Sequence, residues 1–117
     1  MNVTDKSDHL LLRLLDAATE RQKTIANNLA NQSTPGYRRK LVVFEDLLSQ
    51  AMSQGKSLDR VEPTVQDDLV TPVRADGNNV TPELERVADE ENRLRYETYA
   101  TILQGHYGLL QRAISGQ

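Results

Sequence analysis

Few residues in this sequence could do chemistry, and their spacing decides most cases. There are two histidines, His9 and His106, and no cysteine. His106 lies among glycines, with no acid at helical spacing to orient it, so a packing or surface role is expected rather than general-base work. Asp67-Asp68 and Asp89-Glu90-Glu91 lack the ligand spacing of a metal loop and read as solvated surface. Arg38-Arg39-Lys40 could touch phosphate. A lone triplet without interleaved aromatics reads first as a solvated turn or a source of subunit salt bridges. No catalytic, cofactor or metal site is expected. What remains is an amide cluster, Asn27, Asn28 and Asn31, followed at once by Thr34-Pro35-Gly36-Tyr37.

Two readings of the amides stand side by side. In one, they satisfy the last carbonyls of a helix. In the other, they form a hydrogen-bonding collar that joins the helix end to a neighbouring segment or subunit. One asparagine would serve the first purpose. Three at i, i+1 and i+4 present amides over a wide arc, and asparagine is a mediocre helix former.

The helix that carries them is legible. Leu11, Leu15, Ala18, Gln22, Ile25 and Leu29 follow one another at alternating steps of four and three, a heptad-like seam interrupted at Gln22. The pattern predicts a helix from Leu10 to about Ala30, with residues 1–7 as a frayed arm and Ser7 or Asp8 as cap. Thr34-Pro35-Gly36-Tyr37 ends it: Pro fixes φ at the first turn position, and Gly accepts the positive φ of the second. A short amphipathic helix is expected over 44–52, with Phe44, Leu47, Leu48 and Ala51 on one side. Residues 53–79 show no lasting period and are expected to be irregular, with short extended pieces near Val61–Val65 and Val70–Val73. Thr81-Pro82-Glu83 starts a second long helix, with Thr at the N-cap and Pro at the first helical position. Its expected seam is Leu84, Val87, Leu94, Ile102 and Leu109, interrupted at Glu91 and Thr98. Gly105 and Gly108 weaken it by ~1 kcal/mol each, and signal a kink or a close backbone approach.

The fold class is therefore mainly α: two long terminal helices paired as an antiparallel coiled coil, joined by a short helix and an irregular or extended middle. Three segments are expected: the N-terminal helix and turn (1–36), the connection (37–80) and the C-terminal helix (81–117). The charge balance, 14 Lys and Arg against 17 Asp and Glu, argues against a nucleic-acid partner. With 4 % aromatic residues a large core is hard to build, so apolar surface is expected to meet partners. Residues Met1 to His9 lack the layout of a signal peptide, and no apolar run approaches the ~18 residues of a membrane span.

The stretch Ala26-Asn27-Asn28-Leu29-Ala30-Asn31, then Thr34-Pro35-Gly36-Tyr37, resembles the N-terminal motif shared by flagellar rod and hook proteins. That motif reads Ala-Asn-Asn-Ile-Ala-Asn, two residues, then Thr-Pro-Gly-Tyr; Leu29 stands for the usual Ile, and Ser33 where Asn is common. Phe44-Glu45-Asp46-Leu47-Leu48 resembles the short segment that follows this motif, and Glu91-Asn92-Arg93-Leu94-Arg95-Tyr96 and Leu110-Gln111-Arg112-Ala113-Ile114 are similar to the C-terminal helix of the most membrane-proximal rod component. The resemblance implies a non-enzymatic subunit of the rod in the bacterial basal body, stacking helically around the export channel. It implies contacts with copies of itself, other rod proteins, the inner-membrane ring, an adaptor at the rod base and the type III export apparatus. It also implies export without a cleaved signal, and no small-molecule substrate. The alternative is a soluble coiled-coil adaptor or export chaperone that does not polymerise.

Overall fold

The computed structural model describes residues 3–116. In order, the elements are α1 (Val3–Ala30), β1 (Lys40–Val43), α2 (Glu45–Ser53), a single 3-10 turn (Leu58–Arg60), β2 (Thr64–Asp67) and α3 (Pro82–Ser115). The molecule is long and flat, 64 × 31 × 14 Å.

The organising element is α1, because it is amphipathic on two sides. One stripe, Leu10, Leu14 and Ala17, meets Phe44 and Leu48 around α2, with Leu58 and Val61 closing the cluster. Phe44, the single Phe of the chain, is wholly buried there. Burying each such large side chain stabilises by roughly 1.5–3 kcal/mol. Arg21 continues this face as a cation: its guanidinium donates to both Glu45 carboxyl oxygens (3.0 and 2.8 Å) and to the Val42 carbonyl (3.1 Å). Burial opposes ionisation of Glu45, but the Arg21 guanidinium, the backbone N–H of Glu45 itself and the nearby Arg95 together outweigh it and lower the carboxyl below its ordinary range.

The other stripe of α1 faces α3. Leu11, Ala18 and Ile25 are buried, and Leu15 and Leu29 half-buried. Contacts run Asn28 to Glu85, Gln22 to Asp89, Asn92 to the Ala18 carbonyl and His106 to Asp8. Position falls along α1 as it rises along α3, so the two long helices pack antiparallel, as their patterns predict.

Three expectations need correction. Helix α1 starts at Val3, seven residues before the expected first position, so no frayed arm spans 3–7; the rest of that expected arm, residues 1 and 2, lies outside the described residues. Of the two extended pieces expected within 53–79, one forms as β2, which overlaps Val61–Val65, follows the 3-10 turn and pairs antiparallel with β1 in the register Lys40–Asp67, Leu41–Gln66, Val42–Val65, Val43–Thr64, whereas no strand forms over Val70–Val73. Both strands are too short and too mixed in polarity for periodicity to show.

The third correction concerns α3. Its expected seam, Leu84, Val87, Leu94, Ile102 and Leu109, lies exposed, between 43 and 64 % accessible at each position. The face turned to α1 carries Glu85, Asn92 and Leu103, all buried, with His106 half-buried. One residue along a helix rotates the side chain by about 100°, and Leu84 and Glu85 differ by that one step. A search for apolar period finds the outward stripe because the inward one is partly polar.

Candidate assembly site at the helix–strand junction

The chain leaves α1 through a turn whose geometry follows from its residues. Tyr37 N–H donates to the Thr34 carbonyl (3.2 Å), and Gly36, at φ 76°, occupies the position that needs positive φ. A second turn packs on it. Gly36 N–H donates to the Asp76 carbonyl (2.7 Å). A Cβ on Gly77 (φ 84°) would stand 3.2 Å from the Gly36 Cα, so both turns meet backbone to backbone.

Across this junction the three amides of the motif do different work. Asn28 is fully buried and spends both ends of its amide. Its Oδ1 accepts from the Lys40 N–H (2.8 Å) and the Tyr37 hydroxyl (3.0 Å); its Nδ2 donates to the Lys40 carbonyl (2.8 Å) and to Glu85 (3.3 Å). One side chain thus pairs with both backbone groups of Lys40 at the head of β1, as a neighbouring strand would, and ties that strand to α1 and α3. Asn31 is local: it donates to the Asn27 carbonyl (2.8 Å) and accepts from the Thr34 hydroxyl (3.1 Å). Asn27 is exposed. Both readings of the cluster therefore describe part of it, with the joining done by Asn28 and the capping by Asn31.

Beneath the motif lies a polar centre that sequence reasoning missed. Arg39 Nε donates to Glu85 Oε1 (2.6 Å) and its Nη1 to Asp68 Oδ2 (2.8 Å), while its backbone N–H donates to Asn79 Oδ1 (2.6 Å). Glu85 and Asp68 are buried, so neither is the solvated acid that its neighbours suggest, and Arg39 is no solvated turn cation. Asn78 Nδ2 donates to the Asn31 (2.8 Å) and Thr34 (2.9 Å) carbonyls, and Asn79 Nδ2 to those of Asp68 (3.0 Å) and Thr71 (3.2 Å). Asp76-Gly77-Asn78-Asn79 reads from sequence as an ordinary turn. The missed signal is that two adjacent amides precede an apolar residue, Val80, that is itself fully buried.

Burial opposes ionisation of Asp68. The Thr71 hydroxyl, the Arg39 guanidinium and the backbone N–H groups of Thr71 and Val70 outweigh it and hold the carboxyl well below the usual carboxylate range. A carboxyl depressed on folding contributes stability that is complete above its unfolded pKa, about 4, and is lost as pH falls through the folded value. Thermal melts from pH 7 to pH 2 should therefore show the parent losing stability below about pH 4. Asp68→Asn should flatten that part of the curve; an unchanged slope would remove Asp68 from the acid response.

At the far end of the hairpin both histidines find carboxylates on or beside α1. His106 Nδ1 is 2.7 Å from Asp8, and His9 Nε2 is 2.5 Å from Asp59. Neither adjoins the junction. Among the described residues no cluster of acids, histidines or cysteines is arranged to hold a metal ion, and no helix is long and apolar enough to cross a membrane. The arrangement binds backbone to backbone through amides and one guanidinium, which is the chemistry of a structural joint.

That joint falls where known proteins agree with this chain. The sequence signature described as flagella basal body rod protein matches residues 15–38, the stretch from mid-α1 through the turn. A flagellar basal body rod protein FlgB from Borrelia hermsii is 30 % identical, over 92 % of this chain and 94 % of that protein. The FlgB of Bacillus subtilis is 28 % identical, over 87 % of this chain and 88 % of its own length. The chain belongs to the flagellar basal body rod protein family, whose members are structural components of the flagellar basal body. Within that family the likeness that runs end to end is to FlgB. A rod protein FlgG from Buchnera aphidicola is 42 % identical, but over 47 % of this chain and only 21 % of that protein.

Proposed function

We propose that this chain is a polymerising subunit of the proximal rod. It stacks helically around the export channel and links the inner-membrane ring to the distal rod. Its partners in this reading are copies of itself, other rod proteins, the ring, an adaptor at the rod base and the export apparatus that delivers it without a cleaved signal. No step in this role calls for catalysis, a cofactor, nucleic acid or a small-molecule substrate.

The observation that carries the reading is the outward stripe of α3. Leu84, Val87, Leu94, Ile102 and Leu109 run along one face of a helix whose adjoining face is already paired with α1. An uncovered apolar stripe of that length marks a protein interface. In this reading the interface lies between subunits of the rod.

The test replaces two stripe residues that are both more than 60 % exposed. Leu94→Ser with Leu109→Ser should leave the circular dichroism spectrum and the melting temperature nearly unchanged, because exposed substitutions cost within about 0.5 kcal/mol. The same variant should vanish from isolated basal bodies, and its cells should not swim. Normal incorporation and motility would overturn the stripe as an assembly surface. Recovery of the parent chain only from the cytosol would favour a non-polymerising adaptor instead.

A further inference from the structure

Helix α3 has two flanks beside the face it turns to α1, and they differ in form. One carries the apolar stripe. The other borders a groove between the long helices, where Ala18, Thr19 and Gln22 of α1 and Arg93, Tyr96 and Glu97 of α3 line a hollow of about 450 Å³ with a mostly apolar wall. The two flanks face opposite ways: Arg93 and Ile102 are nine residues apart, or two and a half turns at ~3.6 residues per turn. The groove is also clear of α2. Ala17, which meets α2, and Thr19 lie about 200° apart round α1. A subunit built this way offers a ridge on one side and a recess on the other, the two halves of ridge-into-groove packing.

Most charges beside the ridge and the recess are unpaired within the subunit. Arg86, Glu90, Glu91 and Glu97 are exposed and outside every ion pair among the described residues. Arg86 stands two turns before Arg93 on the recess flank. The Arg93 side chain, 65 % exposed, has Asp89 of its own helix as its ion partner, at 3.3 Å. Glu90 and Glu91 stand one turn before Leu94, on the ridge flank. Along α3 the recess flank therefore reads cation, cation, acid, and the ridge flank reads acids, then leucine.

Resting on the polymerising-subunit reading, we infer that the α3 ridge of one copy lies in the α1–α3 groove of a second copy, parallel to it, with Leu94 seated in the hollow beside Tyr96. Parallel alignment brings Glu90 and Glu91 of the entering copy between Arg86 and Arg93 of the receiving one. Reversal would bring the same acids to Glu97, and like charges opposed across an interface are costly. Two different flanks of one chain are used, so the contact is heterologous. Each addition leaves a ridge and a groove free, and growth continues into a ring or filament instead of closing as a two-fold dimer. The charges set the direction of packing, and the leucine and its hollow set the depth.

The chain's lack of cysteine makes the contact directly testable. Thr19→Cys and Leu94→Cys are combined in the full-length protein, expressed in its flagellated host, and basal bodies are isolated and mildly oxidised. A disulfide needs Cα atoms within ~7 Å, so a bridge between copies forms only where the ridge sits in the groove. A ladder of cross-linked multimers from the double variant, absent from both single variants, is the expected result; a bridge within one subunit adds no band to it. Double-variant subunits present in the basal body without a ladder overturn the contact while leaving the rod reading intact. Absence of the parent chain itself from basal bodies overturns both. A set of charge variants tests the direction and guards against effects of the cysteines. Arg86→Glu should fall to a tenth or less of the parent's abundance in basal bodies. Arg86→Glu with Glu90→Lys and Glu91→Lys should regain at least half of it. Both should melt within about 2 °C of the parent. Melting temperatures that fall and recover along with incorporation would assign the effect to an i,i+4 pair within α3 and overturn the seat. Undiminished incorporation of Arg86→Glu, or no recovery in the triple variant, overturns it as well.

Discussion

Arg39→Ala is expected to destabilise the isolated subunit by about 3–5 kcal/mol, a loss of ~10–20 °C in melting temperature for a chain of this size. The magnitude comes from what the guanidinium leaves behind. Glu85 has no exposed surface and Asp68 has 4 %, and both lose their cationic partner at once. Breaking a buried pair costs more than the pair itself contributes, because an uncompensated charge stays out of water. Burial opposes the charge on Arg39, yet the Glu85 and Asp68 carboxyls outweigh it and hold the guanidinium even more firmly protonated than usual, so deprotonation offers no relief. Arg39→Lys keeps a charge but loses the planar fork that reaches two acids in different directions, and should recover only part of the loss. Thermal unfolding followed by circular dichroism decides the matter. A melt for Arg39→Ala within about 2 °C of the parent would mean that the two acids find other partners or are not held as described.

For Asn28→Ala the expected cost is about 3 kcal/mol, from the four hydrogen bonds that its amide makes in a fully buried setting. The backbone N–H and C=O of Lys40 are stranded together, along with the Tyr37 hydroxyl. Neighbouring asparagines supply the control. Asn31→Ala removes local bonds at a partly exposed turn and should cost about 1 kcal/mol. Asn27→Ala changes an exposed side chain and should stay within about 0.5 kcal/mol. Three single variants in one denaturant series therefore rank the amides, Asn28 first. Equal losses at Asn27 and Asn28 would show that the cluster acts through helix propensity and not through the joint.

How much of this was visible beforehand depends on the kind of interaction involved. Leu11, Ala18 and Ile25 announced a buried face because apolar side chains recur at the period of the helix that hides them. Thr81-Pro82 and Thr34-Pro35-Gly36 marked where helices start and stop, because those residues restrict φ locally. Arg39, Asp68 and Glu85 announced nothing. A buried ion pair is composed of the residues that usually mark a surface, and its members here lie 29 and 46 positions apart. Asn92 is the same case, an amide on a helix face where period alone expects a leucine. The α3 seam was misplaced for the complementary reason: its leucines do form a stripe, but one that this subunit leaves uncovered.

The polar inner face of α3 also bears on how the two long helices behave under sliding stress. A purely apolar seam has little preference for one axial register over another a heptad away, since any leucine can fill any gap. Here α3 is pegged to α1 at several depths: Glu85 at Asn28, Asn92 at the Ala18 carbonyl, His106 at Asp8. Directional bonds of that kind fit one offset and no other. A slip by one heptad would strand a carboxylate and an amide in the interior. The hairpin is keyed like a spline on a shaft, and shear along its length has to break polar bonds in several places together.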